Sequence, residues 1–230
     1  MWGYSEDGRL VSLCYAGANV MPVEATPAAA AQFAERARRS GRRCSSIVGP
    51  SAAVDAMWGL LAPYWGAARD VRHQPLMATD RPAQVPGDPA VRRVRVDELD
   101  TVLPACVAMF TEEVGVSPVA GDGGALYRAR VAELIAEGRS FARIENGRVL
   151  FKAEIGSATS QACQIQGVWV DPALRGQGLG TTGTAAVVDL ALESVSPVVS
   201  LYVNDYNAPA RRAYERVGFT TVGSFTSVLF

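Results

Sequence analysis

Apolar and polar positions alternate in short runs along the chain, separated by longer runs at helical spacing. The alternation predicts strands at 10–15, 19–23, 43–48 and 69–77. Between them, Thr26 followed by Pro27 opens an alanine-rich helix that ends near Gly41, and Ser51 caps a second helix reaching residue 64. Pro82, Pro86, Gly87 and Pro89 then interrupt the pattern, so residues 81–90 read as a linker between a domain at 1–80 and another at 91–230. Beyond it the pattern predicts strands at 91–96, 139–145, 148–158, 163–170 and 198–203. Helices are expected at 99–110, 125–136, 178–194 and 209–217, with two short strands to finish. Asn146-Gly147 marks a tight hairpin turn. Strands before, between and after helices give an α/β class with a mixed sheet. The coarse order of elements repeats on both sides of the linker, as it would if the halves shared a fold. Residues 2–15 already read as strand, turn at Asp7-Gly8 and strand, so the chain is expected to begin inside a domain with earlier elements.

Composition narrows the function. A hydrophobic fraction of 49% with 20% charged residues belongs to a globular chain able to bury a core. A net charge of -1 implies no broad basic surface for nucleic acid. The basic cluster Arg36, Arg38, Arg39, Arg42 and Arg43 lies at a predicted helix end, where it complements the helix dipole. Cys14, Cys44, Cys106 and Cys163 are scattered and His73 is the lone histidine, which argues against a Cys/His metal site. Free thiols and no signal-like segment point to the cytoplasm, and no apolar run approaches the roughly 20 residues of a membrane helix.

The candidate chemistry lies in 171–192, where two glycine motifs overlap. Gly178, Gly180 and Gly183 spell G-x-G-x-x-G, a dinucleotide fingerprint. Arg175, Gly178 and Gly180 spell R-x-x-G-x-G. A dinucleotide turn should follow its strand directly, yet residues 171–177 intervene, and the acidic position at Asp205 falls late for a ribose. In the other reading, Asp171-Pro172 ends the strand. Gly176, Gly178 and Gly180 then let backbone N–H groups approach a diphosphate at a helix N-terminus, with Thr181 and Thr182 adding hydroxyls and Arg175 adding charge. Glycines that merely shape a tight strand-to-helix loop remain an alternative.

Two stretches, "IQGVWVDPALRGQGLG" and "VSLYVNDYNAPARRAYERVGF", resemble the GNAT (GCN5-related) N-acetyltransferase family over about 91–230. The resemblance implies the GNAT acyl-CoA fold there, with acetyl-CoA as acyl donor, no metal, and an amine on a small molecule or peptide as acceptor. It implies that Val168, Trp169 and Val170 line the pantetheine arm, Val168 also offering its N–H to the thioester oxygen. Arg175, Gly176, Gln177, Gly178, Leu179, Gly180 and Thr181 would take the pyrophosphate, while Asn207 and Ala210 would touch the cofactor. Tyr214, two helical turns after Asn207, would protonate the departing thiolate. Many relatives place a glutamate base on the fourth strand; here Gln164 and Gln166 stand instead, and Glu154 on the neighbouring strand is the nearest acid and the candidate base, acting directly or through water, with bulk water as the alternative. Acceptor recognition is expected around 115–124, at Tyr127, Arg130 and near Trp169, with Glu112, Glu113 and Asp122 suited to a cationic amine.

The first half lacks an R-x-x-G-x-G counterpart: "VEATPAAAAQF" has Pro27 and alanines where glycines would be needed. The whole chain is similar to actinobacterial two-part acetyltransferases, so this half is expected to be a degenerate GNAT-like domain. It would complete the acceptor cleft, form a homodimer contact or stabilise its neighbour. Direct transfer in a ternary complex is the leading activity. A catalytically weak acyl-CoA-binding regulatory module is the alternative, and a dinucleotide oxidoreductase the third reading.

Overall fold

The computed structural model describes residues 1–120 and 123–230, and within them the chain divides into two units. Unit 1 comprises Met1–Leu76, Tyr202–Asn207 and Thr221–Phe230; unit 2 comprises Met77–Leu201 and Ala208–Thr220. In chain order the elements are β1 (Trp2–Glu6), β2 (Arg9–Ala16), β3 (Asn19–Val23), α1 (Pro27–Ser40), β4 (Ser46–Pro50), α2 (Ser51–Trp65) and β5 (Asp70–Thr79). There follow β6 (Arg92–Arg93), α3 (Leu99–Val114), α4 (Gly123–Ala136), β7 (Ser140–Glu145), β8 (Arg148–Ala158) and β9 (Cys163–Val170). The last are α5 (Leu179–Ser194), β10 (Val199–Tyr202), α6 (Ala208–Val217) and β11 (Thr220–Leu229). Among the described residues no helix is long and apolar enough to cross a membrane.

In unit 1 the strands lie in the order β1-β2-β3-β4-β11-β5. The hydroxyl of Thr26 accepts from the Ala29 N–H, capping α1 as its sequence predicts. Ala29, Ala30, Ala34 and Ala37 are buried along one stripe of α1 with Phe33, and small side chains let that face approach α2. Phe33, Ile47, Val54, Met57, Leu61 and Val228 make the core. Helix α2 begins at Ser51 but is not capped by it. Pro50 is the N-cap residue and brings no side-chain bond, while the Ser51 hydroxyl accepts from Thr226 at 3.0 Å. The two short strands expected at the end are one strand, β11. It pairs antiparallel with β4 from Phe225↔Pro50 to Leu229↔Ser46, so the chain's last residues complete the sheet of its first.

In unit 2 the strand order is β10-β9-β8-β7-β6, with β10 and β9 parallel and the others antiparallel. Asn146 and Gly147 both take positive φ at the β7–β8 turn, as expected of that pair. The strand expected over 91–96 shrinks to β6. Glu98 accepts from Arg92 Nη1 and Nη2 and from the Arg95 N–H, which folds 96–98 into a 3₁₀ turn. Arg92's hydrogen bonds hold the Glu98 carboxyl down at about 2, the Arg95 N–H adding to them and burial opposing.

The proline-rich stretch at 81–90 is folded onto unit 2. The Asp88 N–H donates to Thr182, the Ala83 N–H to Asp189 Oδ1 and the Gln84 N–H to Val217. A Cβ on Gly87 would lie 2.9 Å from the Ala186 backbone. Across the sheet, a Cβ on Gly183 would lie 2.6 Å from the Phe151 ring, so α5 can seat on β8 only with glycine there. Two outcomes follow. Gly183→Ala should destabilise unit 2 by about 1–3 kcal/mol, the range for overpacking, read as a lowered melting temperature. Glu98→Gln should lower the melting temperature at pH 7. Because the folded carboxyl titrates near 2 rather than 4.5, its stabilisation is present above pH 4.5 and lost as pH falls toward 2, where the two proteins should converge.

Candidate functional site

The site grows from the way β9 leaves the sheet. It pairs with β10 only at Val199↔Cys163 and Ser200↔Gln164, then runs on to Val170 with β8 as its ladder partner among the described residues. The open side of its far half is available to other groups. The Val170 carbonyl uses it to accept from Arg175 Nε at 3.1 Å.

Within that half the ladder is irregular. Lys152 faces Trp169 and Glu154 faces Gln166, so Ala153 alone stands opposite Gly167 and Val168. This is a β-bulge, and Gly167, at φ +60, supplies the left-handed residue it needs. Asp171 stops the strand. Its carboxylate accepts from the Ala173 N–H at 3.0 Å and from Arg148 Nε at 2.5 Å, fixing a 3₁₀ turn over 172–174.

The turn that follows has two left-handed glycines, Gly176 at φ +79 and Gly178 at φ +88, and a Cβ on either would meet nothing within 4 Å. Gly178 is the N-cap of α5 and contributes no side chain to cover the first-turn N–H groups. The positive end of the α5 dipole follows directly on the exposed Gly176 and Gln177. The Arg175 guanidinium also donates to Glu112 Oε2 at 2.7 Å, and Glu112 Oε1 accepts from Trp169 Nε1 at 3.4 Å. Glu112, near the end of α3, thus ties that helix to the strand and the turn.

Tyr214 lies on α6, buried and edge-on to Phe219 with ring centres 6.1 Å apart. Burial, with the charge of Glu113 adding, pushes its phenol well above the usual value of 10. Ala210 lies one turn earlier on α6. Asn207 immediately precedes that helix within unit 1, where its N–H donates to the Asn204 carbonyl at 2.9 Å.

Glu154 is not an exposed strand carboxylate. It is 4% exposed, Lys152 is 1% exposed, and Lys152 Nζ donates to Glu154 Oε1 at 2.5 Å. The Cys106 thiol donates to the same oxygen at 3.5 Å, and burial pushes that thiol up to about 11. Burial pulls on the Lys152 ammonium, but Glu154 and Cys106 outweigh it and leave its pKa raised, so it stays charged. Tyr127 donates to the Cys106 carbonyl at 2.8 Å, and Arg130 binds Glu133 and the Gly156 carbonyl. Tyr127 is half-buried by its bond, while Arg130 stays exposed. Asp122 lies outside the described residues. Sequence reasoning passed over Lys152 and the Glu112–Arg175 link. The signal for the first was present, since "VLFKAEIG" sets two charges at alternate positions of an otherwise apolar strand.

Comparison with known proteins fits this geometry. Residues 124–219 match the model of the acetyltransferase (GNAT) family, and residues 1–102 match a domain of unknown function (DUF4081). Over 57 residues the chain is 46% identical to mycothiol acetyltransferase of Mycobacterium leprae (strain Br4923), a stretch covering 23% of this chain and 18% of that relative. An acetyltransferase of the GNAT family from Colwellia psychrerythraea is 15% identical with a TM-score of 0.60, covering 99% of this chain and 84% of its own. A GCN5-related N-acetyltransferase from Sphaerobacter thermophilus is 14% identical with a TM-score of 0.63, covering 96% and 76%. At these identities the solved structures show likeness of fold. The two-glycine turn at the head of α5 and the part of β9 that leaves its neighbour thus lie within residues 124–219, the segment that carries an acetyltransferase (GNAT) family domain, after a DUF4081 domain at residues 1–102.

Proposed function

We propose that unit 2 transfers the acetyl group of acetyl-CoA to a primary amine of a small molecule or peptide, by direct attack within a ternary complex. The observation that carries this reading is the pair of left-handed glycines, Gly176 and Gly178, open above their Cα atoms and leading into an uncapped helix beside Arg175. A diphosphate suits that turn: backbone N–H groups at the head of α5 and the Arg175 guanidinium would bind it, and neither glycine carries a side chain to stand in the way. The open edge of β9 then offers backbone to the pantetheine arm at Val168, Trp169 and Val170. Thr181, Leu179, Gly180 and Ala210 complete the cofactor contacts in this assignment.

Chemically, the amine nitrogen attacks the thioester carbon and the carbonyl oxygen takes up charge. The Val168 N–H is the donor assigned to that oxygen, worth most when preorganised in a dry setting. As the carbon–sulfur bond breaks, Tyr214 gives its proton to the coenzyme-A thiolate. A phenol raised above 10 holds that proton through the neutral range and is available as an acid. Glu154 is bound to a buried ammonium, so we assign proton removal from the amine to water, with the Glu154–Lys152 pair serving structure. The likeness to mycothiol acetyltransferase supports an acetyl donor and leaves the acceptor to experiment.

A second reading is an acyl-CoA-binding regulatory module, favoured by Gln164 and Gln166 on β9 and by the engagement of Glu154 with Lys152. Thiol release from acetyl-CoA with a panel of amines separates the two: amine-dependent turnover supports the enzyme, binding without turnover the module. Binding of NAD(H) with no response to coenzyme A would overturn both.

Two variants test the assigned residues. Arg175→Ala should weaken acetyl-CoA about tenfold, as loss of a charge-assisted contact implies, measured by calorimetry. Tyr214→Phe should lower kcat about 100-fold, the lower range for a general acid, with KM for acetyl-CoA little changed. The wild-type alkaline limb from this group should lie above pH 10 because its pKa is raised. Unaltered turnover in Tyr214→Phe at every pH would remove the acid role.

A further inference from the structure

The buried ion pair on β8 lies directly against the bulge of β9. Lys152 and Glu154 project from the same face of β8 and flank Ala153, the one residue opposite Gly167 and Val168. A Cβ placed on Gly167 would lie 3.3 Å from Lys152 Nζ, 3.3 Å from Glu154 Oε2 and 3.0 Å from Met109 Cε. The two charged heads therefore form the floor on which the extra residue of the bulge rests. We propose that Lys152 is a positioning residue, whose ammonium, locked to Glu154 beneath Gly167, holds the β9 bulge and so sets the Val168 backbone that faces the thioester.

Three physical features carry this. First, desolvated charges are stable only in near-ideal geometry, so a buried pair is a directional support in a way that an apolar filler is not. The Cys106 thiol donates to Glu154 Oε1 as well and limits its movement. Second, the pair pins register. Sliding β9 by one residue past β8 would bring a side chain over Lys152 and Glu154 in place of Gly167, at contacts of 3.0–3.3 Å that the neighbours must yield to accommodate. Third, position matters: Gly167 immediately precedes Val168, so any flattening of the bulge turns the peptide between them. A hydrogen-bond donor aimed at a developing oxyanion loses much of its effect when turned by tens of degrees.

The inference rests on the acetyl-CoA reading, and its test keeps the two apart. Calorimetry on the full chain compares acetyl-CoA with coenzyme A, which share every contact except those at the acyl group. Wild type should prefer acetyl-CoA about tenfold. Lys152→Met should bind coenzyme A within twofold of wild type and lose that preference. Because Lys152→Met strands a buried carboxylate and could unfold, Lys152→Met/Glu154→Gln is measured alongside. That double variant should regain the wild-type melting temperature, since both charges are gone, without regaining the acyl preference. A merely structural role predicts that stability and preference return together, and that result overturns the proposal. So does a folded Lys152→Met that keeps the preference, or a wild type that does not distinguish the two ligands. Absence of binding to either ligand by wild type would instead strike at the acetyl-CoA reading itself.

Discussion

Everything in unit 2 depends on one strand being held along one side only. A sheet strand normally satisfies its backbone in two ladders, yet β9 keeps β10 for two residues and thereafter relies on β8. Its free polar groups need partners, since unpaired backbone is costly once water is excluded. The Val170 carbonyl finds one in Arg175, and the proposed pantetheine arm would supply others. A ligand that completes a ladder needs little specific side-chain chemistry. This accounts for a cofactor assignment made mostly of backbone, glycine and one arginine.

The same arrangement explains why the strand is stiffened from behind. With one neighbour gone, the geometry of Gly167 and Val168 rests on β8 and α3, and there the core is charged rather than apolar. Phe151, Ala153 and Ile155 of β8 are buried on one face while Lys152 and Glu154 are buried on the other. The apolar face lies under α5, where Gly183 lets the helix approach Phe151. The polar face lies under α3 and contacts Cys106 and, at the Gly167 position, Met109. One strand thus serves as a packing surface toward the helix that opens at the turn and as a directional support toward the bulge.

Much of this was legible along the chain, and what was not has a common cause. The Asn146-Gly147 turn, the Thr26 cap and the spans of β8 and β9 depend on neighbours in sequence, and they were read to the residue. The single final strand reads as two in sequence because its partner, β4, lies 175 residues earlier at the Phe225↔Pro50 pair. Likewise Ser51 has the composition of a cap but is the first residue of its helix, its hydroxyl engaged by that distant strand. The fate of Glu154 turned on burial: as part of a sequence it is a strand carboxylate, and only the packing of α3 over β8 makes it half of an ion pair.

The glycines of 176–183 show how one segment can satisfy two unrelated demands. Gly176 and Gly178 are fixed by backbone conformation, since both have positive φ and open space above them. Gly183 is helical, and what excludes a side chain there is the Phe151 ring. Their joint spelling of G-x-G-x-x-G therefore has two separate physical origins. A turn that must bare its N–H groups precedes a helix that must sit close to the sheet, and a mononucleotide crevice with the same needs converges on the same letters. What separates the chemistries lies outside the glycines. Here an arginine stands three residues before Gly178, and the preceding strand keeps its β10 neighbour for only two residues.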